Sequence, residues 1–392
     1  MRIFELNESV ELGKAHLTHF EDAIILQGTQ GAEKALQTLE SIIQHPNTVT
    51  EKFDGYPALV FGHDVTGKFT VVDKHMFDQG VLPASPQEFI QHDLNRGADR
   101  TNLHYIINNI WNPLGQASAN SKGFYWGDLL LGYTPKPENG KYVFQPNPNG
   151  IRYEVDENSA LGNYIGSKVA TIAVHQYIDP GTYLNIQQQN QLAKSSGKRT
   201  KKLKATDYAI SLNGGVGELK TDTRIGILPS RLPITPRLQL DSKYLNQLRS
   251  QLQTYGDYID ILLTGSPVSD NVFKETYLMK YINWKVRQRD LNLSPDEFIE
   301  FVNSNIPMSE VVRTKMLEFL SRSRPHLNIL FALWRALYAV KLSLYRQMNR
   351  AAQQSPLVGY LKSGQRSQEG FVAQGYKFID RPKFSAQNLE GR

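Results

Sequence analysis

The sequence predicts an α+β protein in which a long helical segment interrupts a core of short strands. Three observations predict it. Short runs rich in Val, Phe, Ile and Tyr, bounded by Gly, Pro, Asn and Asp, recur from Val49 to about residue 180. From about Leu240 to Gln354 apolar residues instead recur three and four apart, the spacing of a helix face. After Pro356 strand-like runs return, at Gly370–Gln374 and Tyr376–Ile379.

The elements follow in order. Ala32, Ala35, Leu36, Leu39, Ile42 and Ile43 form one stripe of an amphipathic helix, which His45-Pro46-Asn47 ends. Ala58–Gly62 and Phe69–Val72 read as a hairpin around the turn His63–Lys68. Residues 86–111 read as helical, Phe124–Leu131 as a strand, and Lys141–Phe144 with Gly150–Val155 as a strand pair. Lys168–Tyr177 reads as a buried strand. Lys194–Lys204 is basic and polar, an exposed loop whose alternative role is contact with a phosphate backbone. Leu245, Leu248, Leu252, Tyr255, Ile259 and Leu262 make one stripe of the helical segment. A second runs from Leu317 to Met348, and Pro295, Pro307 and Pro325 mark helix starts or breaks. The expected division is a helical segment at 1–48, a core at 49–235, a helical insertion at 236–365 and the returning core strands at 366–392.

Composition narrows the function classes. The chain is 40% hydrophobic and 21% charged, ordinary for a globular protein. It has no cysteine, which excludes disulfides, thiolate metal sites and thiol nucleophiles. No apolar run approaches the roughly 20 residues of a membrane span, and the N-terminus lacks the plan of a signal peptide. The expectation is a cytoplasmic protein with no membrane partner. A net charge of +6 mildly favours a polyanionic partner such as nucleic acid.

Five ordered segments carry the chemistry: Glu51-Lys52-Phe53-Asp54-Gly55, Val71-Val72-Asp73-Lys74-His75, Phe124-Tyr125-Trp126-Gly127-Asp128, Gln368-Glu369-Gly370-Phe371-Val372-Ala373 and Tyr376-Lys377-Phe378-Ile379-Asp380. A nucleophilic lysine must lose its proton before or during attack, and nearby cations and desolvation favour that loss. Lys52 follows a short apolar run and precedes a turn. Asp54 can orient its ammonium, and Gly55 permits tight backbone passage beside a phosphate or ribose. The bland alternative is a surface turn with a solvated lysine.

This ordered set resembles the covalent nucleotidyltransferase superfamily, which includes polynucleotide ligases and mRNA capping enzymes. It is most similar to the phage-type RNA ligases. It also resembles a group of tailed-phage ligase-like proteins in His16–Asp22, in Lys52-Phe53-Asp54-Gly55-Tyr56-Pro57-Ala58 and in Arg381-Pro382-Lys383-Phe384-Ser385. The resemblance covers about 49–180 and 366–388 and leaves the helical segment unexplained. It implies an antiparallel, ligase-like core and an ATP-dependent reaction in which Lys52 attacks the α-phosphate and expels pyrophosphate. It implies that Glu51, Asp54, Gly55 and Lys74 line the nucleotide and that Asp128 meets the ribose. Phe144 or Tyr153 would stack on the base, Glu369 would hold Mg²⁺, and Lys377 would grip the α-phosphate. The implied partner is nucleic acid, RNA rather than DNA.

Departures from the pattern are specific. Asp128 stands where the family has a glutamate, one methylene longer. Pro57 stands where DNA ligases and capping enzymes often carry arginine, a position RNA ligases also lack. Asp73-Lys74 replaces Ser-Arg. Ile379 occupies the place of a second phosphate-gripping lysine, which leaves Arg381 or Lys383 as substitutes if a turn returns them. Too few residues follow the last strand for the OB-fold domain found in DNA ligases and capping enzymes. Two other readings stay open: a non-catalytic module that keeps the nucleotide pocket, and an adenylyltransferase acting on a non-nucleic-acid acceptor.

Other constellations read more plainly. His175, on an apolar strand, suits a hydrogen-bonded buried histidine better than a catalyst. His16, His19, Glu21 and Asp22 suit a capping and salt-bridge cluster better than a metal site. Asn213–Gly217 lacks the Lys-Ser/Thr ending of a P-loop. Trp284, Lys285, Arg287 and Arg289, and Arg322 to Arg335 with Trp334, suit a basic helix face better than a stacking platform for bases.

Overall fold

Helices and mainly antiparallel strands alternate along the chain, the α+β class the sequence predicts. The computed structural model describes residues 18–53, 55–146, 151–196, 202–212, 216–360, 364 and 370–383. They fall into two compact units, the first drawn from Phe53–Asn147 and Val155–Arg231, the second from Leu17–Lys52, Pro148–Glu154 and Leu232–Arg392.

The first unit is built on one sheet. Strand Ala58–His63 lies antiparallel between Phe69–Asp73 and Gly123–Leu131. Gly123–Leu131 pairs antiparallel with Ala170–Ile178, beside which Ile225–Pro229 runs parallel. The predicted hairpin turn closes through Asp64, whose carboxylate accepts from the Thr66 and Lys68 amides at 2.8 and 3.0 Å. Alternate strand residues such as Leu59, Phe61 and Val71 enter a core shared with Ile107, Ile110 and Leu114 of a covering helix.

The single helical stretch expected at 86–111 is two helices, Pro86–Asn95 and Thr101–Ala117. Ser85 and Glu88 form a reciprocal cap at the first: the Glu88 amide donates to Ser85 Oγ, and the Ala84 amide donates to Glu88 Oε2. The helix Pro180–Ser195 has no counterpart in the apolar pattern, because its exposed face is rich in Gln and Asn. Its start was nonetheless legible, in an Asp179 cap that accepts from the Thr182 amide and a proline at the first turn. It absorbs the beginning of the basic stretch; residues 197–201, and Asn213–Gly215 of the glycine-rich segment, lie outside the described residues.

The second unit draws together segments that the expected division lists separately. The helix Ala23–Gln44, broken at Gly28, packs against Ser242–Thr264, with Ala32, Leu36, Leu39, Leu248, Leu252 and Ile259 in one core. Phe371, Ala373, Tyr376 and Phe378 of the C-terminal strands enter the same core. The helical segment is therefore not an insertion with its own core. It buries its apolar stripes against the N-terminal helix and the last strands, which have nowhere else to place theirs. The helix Arg324–Ala351 is long and apolar enough to cross a membrane by length and composition, but Leu327, Leu330, Trp334, Leu337 and Leu344 are buried in this core.

A charged cluster sits inside this unit. Lys341 Nζ donates to Glu21 Oε1 at 2.6 Å, and Arg381 Nη1 donates to Glu21 Oε1 at 3.1 Å and to Asp22 Oδ1 at 2.9 Å. Trp334 Nε1 donates to Asp22 Oδ1 at 3.0 Å, and Arg381 Nη2 to Asn283 Oδ1 at 2.6 Å. The salt-bridge reading of Glu21 and Asp22 matches this arrangement, and the sequence could not name their partners more than 300 positions away. The stacking alternative for the helical residues fits poorly: Trp334 is wholly buried, and the Lys285 side chain is buried against Glu297 and Asp290.

Burial alone would raise the Glu21 carboxyl, yet Lys341 and Arg381 hold it down at about 2. His19 falls to about 3, through burial first and the nearby Arg381 second. Burial pushes Asp22 the opposite way. For Glu21 and His19 the unfolded chain binds more protons than the folded one, so acid weakens the fold. The urea midpoint should begin to fall as pH drops below about 6.5, the ordinary histidine value, and fall further below 4.5. His19→Gln should reduce the upper part of that decline, to which His63, lowered by burial, also contributes. A wild-type midpoint that rises on going from pH 6.5 to 5 would contradict this account.

Candidate functional site

The second unit carries Lys52, Lys377, Arg381 and Lys383. Thr50–Lys52 pairs antiparallel with Phe371–Ala373, which pairs antiparallel with Tyr376–Phe378. Thr18–His19 runs parallel at the outer edge. The register aligns Thr50, Val372, Lys377 and His19 in one cross-strand row. Side chains alternate with period two, so Lys52, two residues beyond Thr50, shares the face of Lys377. Two strand spacings separate their strands, roughly 10 Å. Glu51, Phe371 and Phe378 take the opposite face, and Glu51 is fully buried. Both lysines are partly exposed.

Gly370 fixes the height of Lys52. Its carbonyl accepts from the Lys52 amide at 3.0 Å. It sits at φ +154°, and a Cβ there would lie 2.1 Å from Ile379 Cγ2. The glycine of Glu-Gly-Phe-Val thus serves strand packing, whatever Glu369 does. Gly370→Ala should cost about 1–3 kcal/mol. Its urea midpoint should fall accordingly, and an unchanged midpoint would argue against this packing.

Arg381, a candidate for the second phosphate cation, is held in the buried cluster by Glu21, Asp22 and Asn283. Its guanidinium is only 6% exposed and already neutralised, so the structure argues against that role. Lys383 is partly exposed, and its amide approaches Asp380 Oδ1 at 3.4 Å. Tyr153, 1% exposed, is buried in a strand opposite Gly359 and offers no open ring face for a base. Asp54 and Glu369 lie outside the described residues.

The first unit carries Gly55, Lys74, Asp128 and Phe144. A Cβ on Gly55 would lie 2.4 Å from the Leu129 carbonyl oxygen, and the neighbouring Tyr56 amide donates to that oxygen at 2.9 Å. The close passage anticipated beside a phosphate is a close passage beside a strand. Phe144, the other candidate for the base-stacking aromatic, is 6% exposed.

Lys74 and Asp128 belong to one cluster. Trp126 and Asp128 share a face of Gly123–Leu131. Lys74 Nζ lies 4.8 Å from the centre of the Trp126 ring, a cation–π distance. The His175 ring is 5.1 Å from Trp126, and its Nε2 is 3.7 Å from Asp128 Oδ1. His175 is half-buried, which departs from its reading as a buried, satisfied histidine. A strand irregularity between Trp126 and Gly127 sets its position, a shift that alternation in the sequence does not report.

Lys74 is anchored from behind. Asp73 caps its helix by accepting from the Met76 amide at 2.8 Å, and Asp73 Oδ2 accepts from Arg96 and Arg100, each at 2.8 Å. Asp93, fully buried, accepts from both arginines and meets His104 Nε2 at 3.0 Å. Burial alone would raise the Asp73 carboxyl, but the Met76 amide and the two arginines hold it below the usual range. Sequence reasoning missed this network because its members lie on three elements.

A family profile matches residues 14–392 and is described as a family of unknown function, DUF6267. The chain belongs to DUF6267. The match spans both units, so the Lys52 and Lys377 sheet and the Lys74 and Asp128 cluster both lie within the extent of DUF6267. No curated protein and no solved structure matches the chain. Among the described residues, no group of three or more His, Asp or Glu side chains converges as a metal site.

Proposed function

We propose that this chain is an ATP-dependent nucleotidyltransferase of the RNA-ligase kind, with a ligase-like core, that attaches AMP to Lys52 and acts on polynucleotide ends. The observation that supports it is the shared sheet face of Lys52 and Lys377, two lysines drawn by the ordered motifs from positions 325 residues apart. A nucleophilic amine and a cation on one face suit attack at a phosphate, where charge neutralisation counts for more than covalent assistance.

In the proposed step the neutral Lys52 amine bonds to the α-phosphorus. The bond from phosphorus to the bridging oxygen breaks, and pyrophosphate leaves with the electron pair. The surplus proton on nitrogen passes to solvent, leaving a phosphoramidate. Lys377 offsets charge on the α-phosphate. Mg²⁺, bound through Glu369 and substrate oxygens, would supply further charge neutralisation, a mode that requires only one or two protein carboxylates. The family resemblance also assigns nucleotide contacts to Lys74 and Asp128, and RNA is the proposed acceptor.

The test is incubation with α-labelled ATP or GTP and Mg²⁺, then denaturing electrophoresis and mass spectrometry of the adduct. The expected result is an AMP mass on Lys52. ATP-induced stabilisation with no adduct would instead favour the non-catalytic module, which Ile379 and the engaged Arg381 support. An adduct that passes to no RNA or DNA end would favour another acceptor.

A further inference from the structure

A second cationic site has a lining that shares no described residue with the proposed reaction. Within the second unit, the segment Pro233–Gln239 and the end of the helix Arg324–Ala351 border a cleft of about 710 Å³. That is within the range of ligand sites, about 300–1,000 Å³. Its lining includes Arg237, Gln239, Gln347, Arg350 and Ser355, and no carboxylate among the described residues.

The two arginines differ from those described arginines that a carboxylate already neutralises. Arg96, Arg100, Arg152, Arg249, Arg324 and Arg381 each pair with a carboxylate. Arg237 and Arg350 are exposed and have no ion-pair partner among the described residues. Ser355 Oγ, in the same lining, is buried without a hydrogen-bond partner. A cleft with two unneutralised guanidiniums and a spare hydroxyl is short of acceptors, and an anion with several oxygens supplies them.

The walls are held in place before any ligand arrives. The Gln239 amide donates to Gln347 Oε1 at 2.7 Å, and Gln347 Nε2 donates back to the Gln239 carbonyl at 2.8 Å. The Ile234 amide donates to the Val49 carbonyl at 3.0 Å. The segment bearing Arg237 is thus tied at both ends, which lowers the ordering cost of binding. The C-terminus of the long helix opposes an anion with roughly half a negative charge, against two full positive ones.

We propose that this cleft binds phosphate groups, carried either by an RNA backbone or by a free polyphosphate. The inference does not depend on adenylation of Lys52.

The test uses the full chain, a 5′-labelled single-stranded RNA read by anisotropy, and inorganic tripolyphosphate read by thermal shift. The variant is Arg237→Glu with Arg350→Glu. The control is Lys315→Glu with Arg322→Glu, an equal charge change on exposed residues outside the cleft. For an RNA backbone, the cleft variant should weaken RNA binding by about tenfold or more. The slope of log affinity against log salt should fall by about 1.4, two contacts at about 0.7 each for a single strand. For a free polyphosphate, the tripolyphosphate shift should vanish in the cleft variant while RNA binding stays. Arg237→Gln with Arg350→Gln should reproduce either loss if charge reversal harms folding. Equal losses in cleft variant and control, or wild-type protein that responds to neither probe, would overturn the proposal.

Discussion

Lys52→Ala is expected to abolish label transfer from α-labelled ATP, to the background of a denatured control. A methyl group offers no nucleophile, and no neighbouring lysine can take over without moving the phosphate. The fold should survive, because the strand bond from residue 52 to the Gly370 carbonyl uses the backbone amide. Lys52 is also only partly buried, so little packing is lost. Lys52→Arg keeps the charge but not the nucleophile, and should be equally silent. Lys377→Ala should keep slow transfer, reduced about 10²–10³-fold, as when a charge-stabilising donor is lost. Label retained on Lys52→Ala would sink the assignment of the nucleophile. Loss in Lys377→Ala as complete as in Lys52→Ala would mean the two lysines do not divide the work as proposed.

The second large effect concerns stability. Arg381→Met should cost about 3–5 kcal/mol, read as a shift of the urea midpoint at pH 7. The reason is the group left behind. Asp22 would keep Trp334 and lose its cation, and Glu21 would keep only Lys341. A buried carboxylate stripped of a partner costs more than the intact pair contributes. Arg381→Met combined with Asp22→Asn should therefore recover part of the loss, a coupling that a double-mutant cycle isolates. A cost under 1 kcal/mol for Arg381→Met would show that the cluster is solvated and does not tie the Phe20–Asp22 turn to Arg381.

Much of the local structure was legible in the residues. The hairpin at 58–73, the strand Gly123–Leu131 that carries Asp128 and the apolar stripes of the long helices all follow from periods of two and of three to four. The polar helix Pro180–Ser195 was missed because periodicity reads apolar residues and this helix has few. Its cap was the available signal. The placement of Lys52 at a strand end was also legible, but its partners were not. Register across Phe371–Ala373 decides that it shares a face with Lys377 and not with Glu51. A slip of one residue would have reversed that.

The sequence by itself determined the α+β class, the order of the motif segments and the absence of cysteine chemistry, because composition and local periodicity are properties of neighbouring residues. Only the tertiary structure decided that the helical segment shares a core with the helix Ala23–Gln44 and the strands Phe371–Ala373 and Tyr376–Phe378, and that Arg381 serves buried Glu21 and Asp22 in place of a phosphate. It also decided that Trp126 and His175 join Lys74 and Asp128, and that Arg237 and Arg350 line one cleft. These pairings cross long stretches of chain, where apolar burial chooses the neighbours and charges must then find partners among whatever that burial brings near.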